Sequence, residues 1–186
     1  MEGQLLTVCC MMVGIIILLP GVHSRATQAN FDAARELHIT KRFFMRYRSY
    51  QDDRSIREAA YCVSLLVTNP FVATEAILRY KRTPQSQYEQ KLVRITTRPS
   101  TPQGPVRNMM SIIDPDTARV FYDLKLQYSD YGNCRVLVQQ FQGRRECSLW
   151  LSPEKREGQI PPLCSSAYTD ICGQRVYNND DPARCR

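Results

Sequence analysis

Histidine is scarce in this chain of 186 residues, which contains only His23 and His38. Zinc-binding C-x-x-C pairs are absent, and so is a glycine-rich loop of the kind that cradles phosphate. Nucleophilic hydrolysis usually needs a histidine base, and His38 is the one candidate beyond the first 24 residues. We therefore expect a protein that is not an enzyme and holds neither a metal ion nor a cofactor.

Long runs of basic residues are also missing, although the formal net charge is +7. The adjacent cations come in pairs, at Lys41-Arg42, Lys81-Arg82 and Arg144-Arg145. A surface that follows a phosphate backbone usually needs clustered cations with aromatic side chains between them. We therefore expect no nucleic-acid partner.

The N-terminus contains the one long apolar run, Leu5–Leu19. Pro20 ends this run, and Val22 and Ser24 occupy the positions that suit a cleavage after Ser24. The alternative is a membrane anchor, but the run is short for a bilayer that needs about 20 residues. We predict a cleaved signal peptide over residues 1–24, followed by a single secreted, extracellular domain over 25–186 that is not held in a membrane.

Six cysteines remain once Cys9 and Cys10 of the predicted leader are set aside. They are Cys62, Cys134, Cys147, Cys164, Cys172 and Cys185. An even number of cysteines in a secreted chain predicts disulfides, here three. Six cysteines allow about 15 pairings, and the spacing does not choose among them.

A helix is predicted first, over Gln28–Ile39. Its apolar face comprises Phe31, Ala34, Leu37 and His38, whereas Glu36 falls elsewhere. A second helix is predicted over Pro161–Cys172, because paired prolines can begin a helix and Gly173 can end it.

Eight short segments of strand character lie between these helices. They are Arg42–Tyr50, Ala60–Val67, Thr74–Lys81, Tyr88–Thr96, Asn108–Ile113, Arg119–Tyr128, Cys134–Phe141 and Glu146–Leu151. Arg119–Tyr128 alternates most clearly, with Tyr122 and Leu124 on its apolar face and Asp123 on the other. We predict a mainly β fold, an eight-stranded antiparallel barrel with a helix at each end of the chain. That order is expected of a lipocalin, whose interior is either filled by side chains or holds one small ligand.

Several local patterns resemble the tick salivary histamine-binding-protein family, a branch of the lipocalins. They extend from Phe31 to Cys185 and keep the family's order. The patterns are FDAAREL, RYRSYQDD, YCV, YSDYGNCRVLV, ECSLWL, IPPLC and the closing cysteine. The resemblance implies a salivary protein that sequesters a host inflammatory mediator and so helps the parasite to evade host defence.

The resemblance also implies a disulfide map. Family members link the cysteine of the second strand to the one near the C-terminus, here Cys62–Cys185. They link the cysteine after the Tyr-Ser-Asp turn to the one after Ile-Pro, here Cys134–Cys164. The pair that remains is Cys147–Cys172.

The ligand is the open question within this family, whose members bind histamine, serotonin, leukotrienes or proteins. Against the amine-binding pattern, Ala34 replaces a tryptophan and Ser148 replaces an acid. The residues that the resemblance carries over as a ligand site, together with one new cation, are Tyr50, Asp53, Asp123, Arg135 and Trp150. Each of them also has an alternative interpretation without a ligand, as a turn, surface or core residue.

A buried ammonium must be paired with an acid, so a lost acid and a gained cation disfavour amines. The hypothesis is one amphiphilic ligand, with an anionic lipid mediator such as a leukotriene slightly favoured over histamine or serotonin. The alternative partner is a host protein, for example a complement component, held by barrel loops. Arg98–Met110, with Met109 and Met110 at its end, is the segment expected to present such a surface.

Overall fold

The computed structural model of the protein describes residues 30–53, 56, 60–70, 74–174 and 176–185. The predicted signal peptide, residues 1–24, lies outside the described residues. In chain order the elements are α1 (Ala33–Leu37), β1 (Arg42–Arg48), β2 (Tyr61–Asn69), β3 (Glu75–Lys81), β4 (Glu89–Arg98), β5 (Met109–Ile113), β6 (Val120–Ser129), β7 (Cys134–Phe141), β8 (Arg144–Leu151), α2 (Pro153–Arg156), α3 (Pro162–Cys172) and β9 (Tyr177–Asn178).

Strands β1 to β8 form a closed antiparallel barrel, as predicted. Each strand from β2 to β8 pairs with the next, and β1 pairs with both β8 and β2. The alternation of side chains places one face of every strand inside. Among the described residues, twenty-two buried side chains from these strands, α1 and the loops form one interior cluster, which includes Phe43, Leu78 and Leu126. Apolar contacts therefore fill much of the barrel between its two ends.

The β7–β8 hairpin is tighter than the sequence predicted. A gap over residues 142–145 was expected, but the turn consists of Gln142 and Gly143 alone. Both residues have positive φ, 48° and 76°, as a two-residue turn that matches the twist of its strands requires. β8 consequently begins at Arg144, which brings Glu146 onto the ladder opposite Gln139.

Helix α1 is shorter than predicted, with five residues in place of twelve. The carboxylate of Asp32 accepts a hydrogen bond from the Ala34 N–H at 2.8 Å and so caps the first turn. The buried face consists of Ala33, Glu36 and Leu37. The prediction that Glu36 lies away from the buried face is therefore wrong.

The barrel closes between β1 and β2 with help from the C-terminal segment. The second half of β1 pairs with β9, which the sequence analysis missed. Next to β9, Asn179 accepts a hydrogen bond from the Val63 N–H at 3.0 Å and donates one to the Ala60 carbonyl at 2.7 Å. Its backbone bonds Arg46 and Cys62. One buried asparagine thus joins the two strands where they diverge.

Helix α3 covers the outer face of β7 and β8, and it occupies nearly the predicted span. Tyr168 packs there with Val136 and Leu149 in a second buried cluster. The structure joins the cysteines as the resemblance implies: Cys62–Cys185, Cys134–Cys164 and Cys147–Cys172. Among the described residues, none of the helices is long and apolar enough to cross a membrane.

Candidate ligand site

The two ends of the barrel differ in how they are covered. The β1–β2, β3–β4, β5–β6 and β7–β8 connections lie at one end, here called the open end. The other, here called the closed end, carries α1 and the remaining hairpin loops. The Ala33 N–H donates to the Arg107 carbonyl at 2.8 Å, and the Asp32 N–H donates to the Tyr131 hydroxyl at 2.7 Å. These bonds hold α1 across the closed end.

Arg135 lies inside the closed end and is only 2% exposed. Its Nη1 atom is 3.6 Å from Oε1 of Glu36, which comes from α1. The guanidinium also lies over two rings, 4.3 Å from the centroid of Phe43 and 5.4 Å from that of Trp150. A buried guanidinium needs such a counter-charge, and aromatic faces add to its stabilisation. The positive charge of Arg135 is therefore balanced within the protein.

Glu36 is held by a second contact, because the Ser129 hydroxyl donates a hydrogen bond to its Oε2 at 2.6 Å. Burial raises the pKa of Glu36, against the opposing pull of Arg135. Glu36 is not among the site residues predicted from the sequence. The spacing of Ala33, Glu36 and Leu37 at i, i+3 and i+4 is the signal that could have found it.

Trp150 forms part of the wall at the closed end and is 3% exposed. Its indole N–H donates to the Ser148 hydroxyl at 2.8 Å. Ser148 stands where the amine-binding pattern has an acid. Its hydroxyl thus accepts the hydrogen bond that the buried indole N–H needs. Arg135 and Trp150 lie together at the closed end, where Arg135 Nε and Glu36 Oε1 are buried without a hydrogen-bond partner among the described residues.

A different polar cluster lies at the open end, around the buried carboxylate of Asp53. The Tyr122 hydroxyl donates to its Oδ2 at 2.7 Å, and the Ile56 N–H donates to its Oδ1 at 3.3 Å. Arg48 Nη1 lies 3.9 Å from the same Oδ2 atom. The structure therefore places the Asp53 carboxylate inside the protein, where it is 1% exposed.

Tyr50 belongs to this cluster at the open end. Burial raises its pKa well above the usual value, and the nearby carboxylates of Asp53 and Glu146 add to the shift. Burial raises the pKa of Tyr122 in the same way, again with a contribution from Asp53. Both phenols therefore stay protonated at neutral pH and can donate hydrogen bonds.

A cleft of about 240 Å³ opens beside these residues. Its lining comes from the end of β1 and the start of β8 and consists of Ser49, Tyr50, Gln51, Asp52, Arg144, Arg145 and Glu146. Glu146 accepts a hydrogen bond from the Gln139 amide at 2.8 Å. The cleft thus borders Tyr50 and the Glu146 carboxylate, whereas Asp53, Arg48 and Tyr122 are not part of its lining.

Asp123 lies on the outer face of β6, so its prediction as a cavity acid is wrong. Its carboxylate forms an ion pair with Arg98 and accepts a hydrogen bond from Ser111 at 2.7 Å. The side chain is 44% exposed, whereas those of its neighbours Tyr122 and Leu124 are buried. The period-two alternation decides this, because Tyr122 points inward.

The loop predicted to present an apolar surface does not do so with its methionines. Met110 points into the barrel and is 3% exposed, and Met109 is half-buried at the start of β5. Asn108 is also buried, and its carboxamide oxygen accepts a hydrogen bond from the Ser100 N–H at 2.8 Å. These contacts tie the loop to the barrel.

Comparison with protein families decides the relationship. The family model described as tick histamine binding protein matches residues 23–183. The chain belongs to this family. A comparison with curated protein sequences finds no match.

Three solved structures share the barrel fold at low sequence identity. AM182 in complex with serotonin is 14% identical with a TM-score of 0.62, over 85% of this chain and 94% of that one. Japanin from Rhipicephalus appendiculatus bound to cholesterol is 15% identical with a TM-score of 0.56, over 76% and 94%. Insecticyanin from the tobacco hornworm Manduca sexta is 8% identical with a TM-score of 0.64, over 84% and 85%. This family member therefore has a lipocalin barrel.

Proposed function

We propose that this member of the tick histamine-binding protein family is a secreted, non-enzymatic salivary lipocalin that captures one small aromatic amine at its open end. The observation that carries the proposal is the buried carboxylate of Asp53 beside the phenol of Tyr122 at the open end. Capture of a host amine mediator would help the parasite to evade host defence.

The charges at the open end favour a cation. The carboxylates of Asp53 and Glu146 both lie near the Tyr50 hydroxyl, and Arg48 Nη1 lies 3.9 Å from Asp53 Oδ2. A ligand ammonium placed between the carboxylates would be stabilised by both of them, whereas the same two groups would repel an anionic ligand. The phenols of Tyr50 and Tyr122 provide aromatic surface beside the cation.

Arg48 favours a ligand that also carries a hydroxyl group. Its side chain is 5% exposed, and its Nη2–H bonds the Gln51 carbonyl at 2.6 Å. The Nε and Nη1 atoms are buried without a hydrogen-bond partner. Since an unsatisfied buried donor is costly, a ligand oxygen beside Arg48 would stabilise the complex. A hydroxylated indole amine meets both requirements, and serotonin is the ligand in the AM182 complex.

The size of the cleft supports a small ligand. Its volume of about 240 Å³ lies just below the common range for drug-sized ligands, roughly 300–1,000 Å³. Apolar side chains fill the barrel interior, so a long acyl chain would have to displace them before it could enter. This argues against a leukotriene in the arrangement that the structure has.

The earlier preference for an anionic lipid depended on Arg135 as a cation inside the cavity. Arg135 is paired with Glu36 and stacked on Phe43 and Trp150, at the closed end. A ligand carboxylate would have to replace Glu36 to reach it. The pairing of Arg135 therefore removes the argument for a lipid, and we favour an amine instead.

Calorimetric titration with serotonin, histamine and leukotriene B4 tests the proposal. Serotonin should bind with one site per chain and without turnover, and more tightly than histamine. Asp53→Asn removes the carboxylate that faces the amine and should weaken serotonin binding about tenfold or more, since a charged hydrogen bond contributes roughly 1.5–3 kcal/mol.

Asp123→Asn is the matched control, because it removes an equal charge from the outer face of β6, away from the open-end cluster. Serotonin affinity should stay unchanged in this variant. Leukotriene binding that is tight and indifferent to Asp53→Asn would refute the amine proposal. Equal losses in the two variants would show that overall charge, and not the open-end cluster, sets the affinity.

Secretion is tested separately by expressing the full chain in insect cells. The protein should appear in the medium and begin at Arg25. A product retained in the membrane fraction with an intact N-terminus would contradict secretion.

A further inference from the structure

Two cations lie over one tyrosine ring on the outer face of β3, with two further arginines on the same side of the barrel wall. The Arg79 guanidinium lies 3.5 Å from the centroid of the Tyr88 ring, and Lys81 Nζ lies 4.8 Å from it. Phe44, Ser64 and Arg79 are cross-strand neighbours on β1, β2 and β3. The Arg156 guanidinium lies 4.0 Å from the centroid of the Phe44 ring, and Arg42 bonds the Ser64 hydroxyl. Arg42, Arg79, Lys81, Arg156 and Tyr88 are here called the Tyr88 cluster.

Little negative charge offsets the Tyr88 cluster. Among the described residues, Asp180 is the acid that bonds it, through two hydrogen bonds of 2.8 Å from Arg156. Arg156 also bonds the Cys185 carbonyl at 2.7 Å, and Lys81 bonds the Arg184 carbonyl at 3.2 Å. These two cations therefore hold the C-terminal segment.

Arg42 and Arg79 retain more donor capacity. Arg42 Nη1 donates a hydrogen bond to the Ser64 hydroxyl at 3.3 Å. Ser64 of β2 is the cross-strand partner of Arg79 of β3. The Nε atom of Arg79 is buried without a hydrogen-bond partner. Burial lowers the pKa of Arg42, and the like charge of Arg79 lowers it further. Two repelling guanidinium groups and an unsatisfied buried donor are costs that a bound anion would relieve.

We propose that Arg42 and Arg79, with the Ser64 hydroxyl, form a binding site for a sulfate or phosphate group on the outside of the barrel. Guanidinium groups bind tetrahedral oxyanions through paired N–H donors, which is the geometry that two adjacent arginines supply. A doubly charged oxyanion also offsets the surplus of cations better than a single carboxylate. The site lies on the opposite side of the barrel wall from the side chains that line the interior.

Thermal unfolding of the secreted protein in sodium sulfate, sodium phosphate and sodium chloride at equal ionic strength tests the site. Sulfate and phosphate should raise Tm above its value in chloride, because an anion that binds only the native state stabilises it. Arg79→Gln should abolish this difference. Arg94→Gln should retain it, since Arg94 is an exposed arginine on β4 and belongs to no part of the cluster.

Titration with a sulfated heparin disaccharide distinguishes the source of the anion. Arg79→Gln should weaken this binding about tenfold or more, from the loss of one charged donor group. Tighter binding of the disaccharide than of sulfate would assign the site to a sulfated sugar, and equal binding would assign it to the free ion. If Arg79→Gln does not fold, Arg42→Gln provides the same comparison.

The proposal is overturned if sulfate, phosphate and chloride stabilise the protein equally. It is also overturned if Arg94→Gln reduces the rise in Tm by sulfate and phosphate as much as Arg79→Gln does. The effect would then follow net charge. Serotonin binding should be unaffected by Arg79→Gln, so this test is independent of the function proposed for the open end.

Discussion

Glu36 and Arg135 form a pair of opposite charges that is almost completely buried at the closed end. Such a pair seldom adds much to stability relative to apolar residues, but removing one partner leaves a charge without compensation. The aromatic rings of Phe43 and Trp150 then become the main neighbours of the guanidinium. The closed end should therefore be sensitive to loss of either charge.

Glu36→Gln should lower the free energy of unfolding by about 3–5 kcal/mol, because Arg135 stays buried without a counter-ion. Urea unfolding at neutral pH measures this change. Asp123→Asn is the control, since it breaks an exposed ion pair with Arg98, and such pairs contribute about 0–1 kcal/mol. A Glu36→Gln loss no larger than that of the control would contradict the structural role of the pair.

Among elements, the strands were the most predictable part of the chain. Alternation and turn residues are local signals, so the eight strands appear within a few residues of their predicted bounds. Helix α1 was overestimated, because its sequence has helical spacing over more residues than the cap at Asp32 allows. The short β9 was missed, because two residues carry no periodic signal and pair only through contacts with β1.

The docking of α3 on β7 and β8 gives a pH prediction. Burial raises the pKa of Tyr168 to about 12. Tyrosine in the unfolded chain ionises near pH 10, so the unfolded state gains stability first as the pH rises. The contribution of Tyr168 is complete below about pH 10 and is lost between about pH 10 and 12.

Tyr168→Phe should therefore lose less stability than the wild type between pH 9 and 12, by up to about 2 kcal/mol. Chemical denaturation at several pH values measures the two slopes, and the same variant at pH 7 reports any change in packing. Parallel slopes above pH 10 would show that the helix leaves the Tyr168 hydroxyl accessible to water.

At the scale of the whole molecule, the C-terminal segment closes the barrel. Asn179 bridges β1 and β2 through its backbone and side chain, and the Cys62–Cys185 disulfide holds the segment in place. This disulfide spans 123 residues, whereas Cys147–Cys172 spans 25. Longer loops lose more entropy in the unfolded chain when they are cross-linked.

Replacing both Cys62 and Cys185 by serine should cost about 4–5 kcal/mol, more than the roughly 3–4 kcal/mol for the pair Cys147 and Cys172. Guanidinium unfolding of the two double variants makes the comparison. The first variant should also weaken serotonin binding, because β1 leads directly to Tyr50 and Asp53. The reverse order of stability would indicate that α3, and not the C-terminal segment, is the stronger clamp.

The candidate site was predictable in part. Tyr50 and Asp53 lie three residues apart on a recognisable motif, and the structure keeps them together at the open end. Arg48 and Tyr122 were not predicted as site residues. In the case of Tyr122, the reason is that it lies 69 residues from the carboxylate that it bonds. A contact over that distance depends on the register of the barrel, which no local pattern displays.

The sequence by itself determined the strand pattern, the six cysteines and the family, because these follow from side-chain alternation, from composition and from short ordered motifs. Tertiary structure alone decided that Glu36 neutralises Arg135, that Tyr122 bonds Asp53 and that β9 completes the wall. Each of these outcomes depends on which residues the closed sheet brings together from distant parts of the chain. Burial then strengthens the interactions between the charged groups, because the interior lacks the water that screens charges on an open strand.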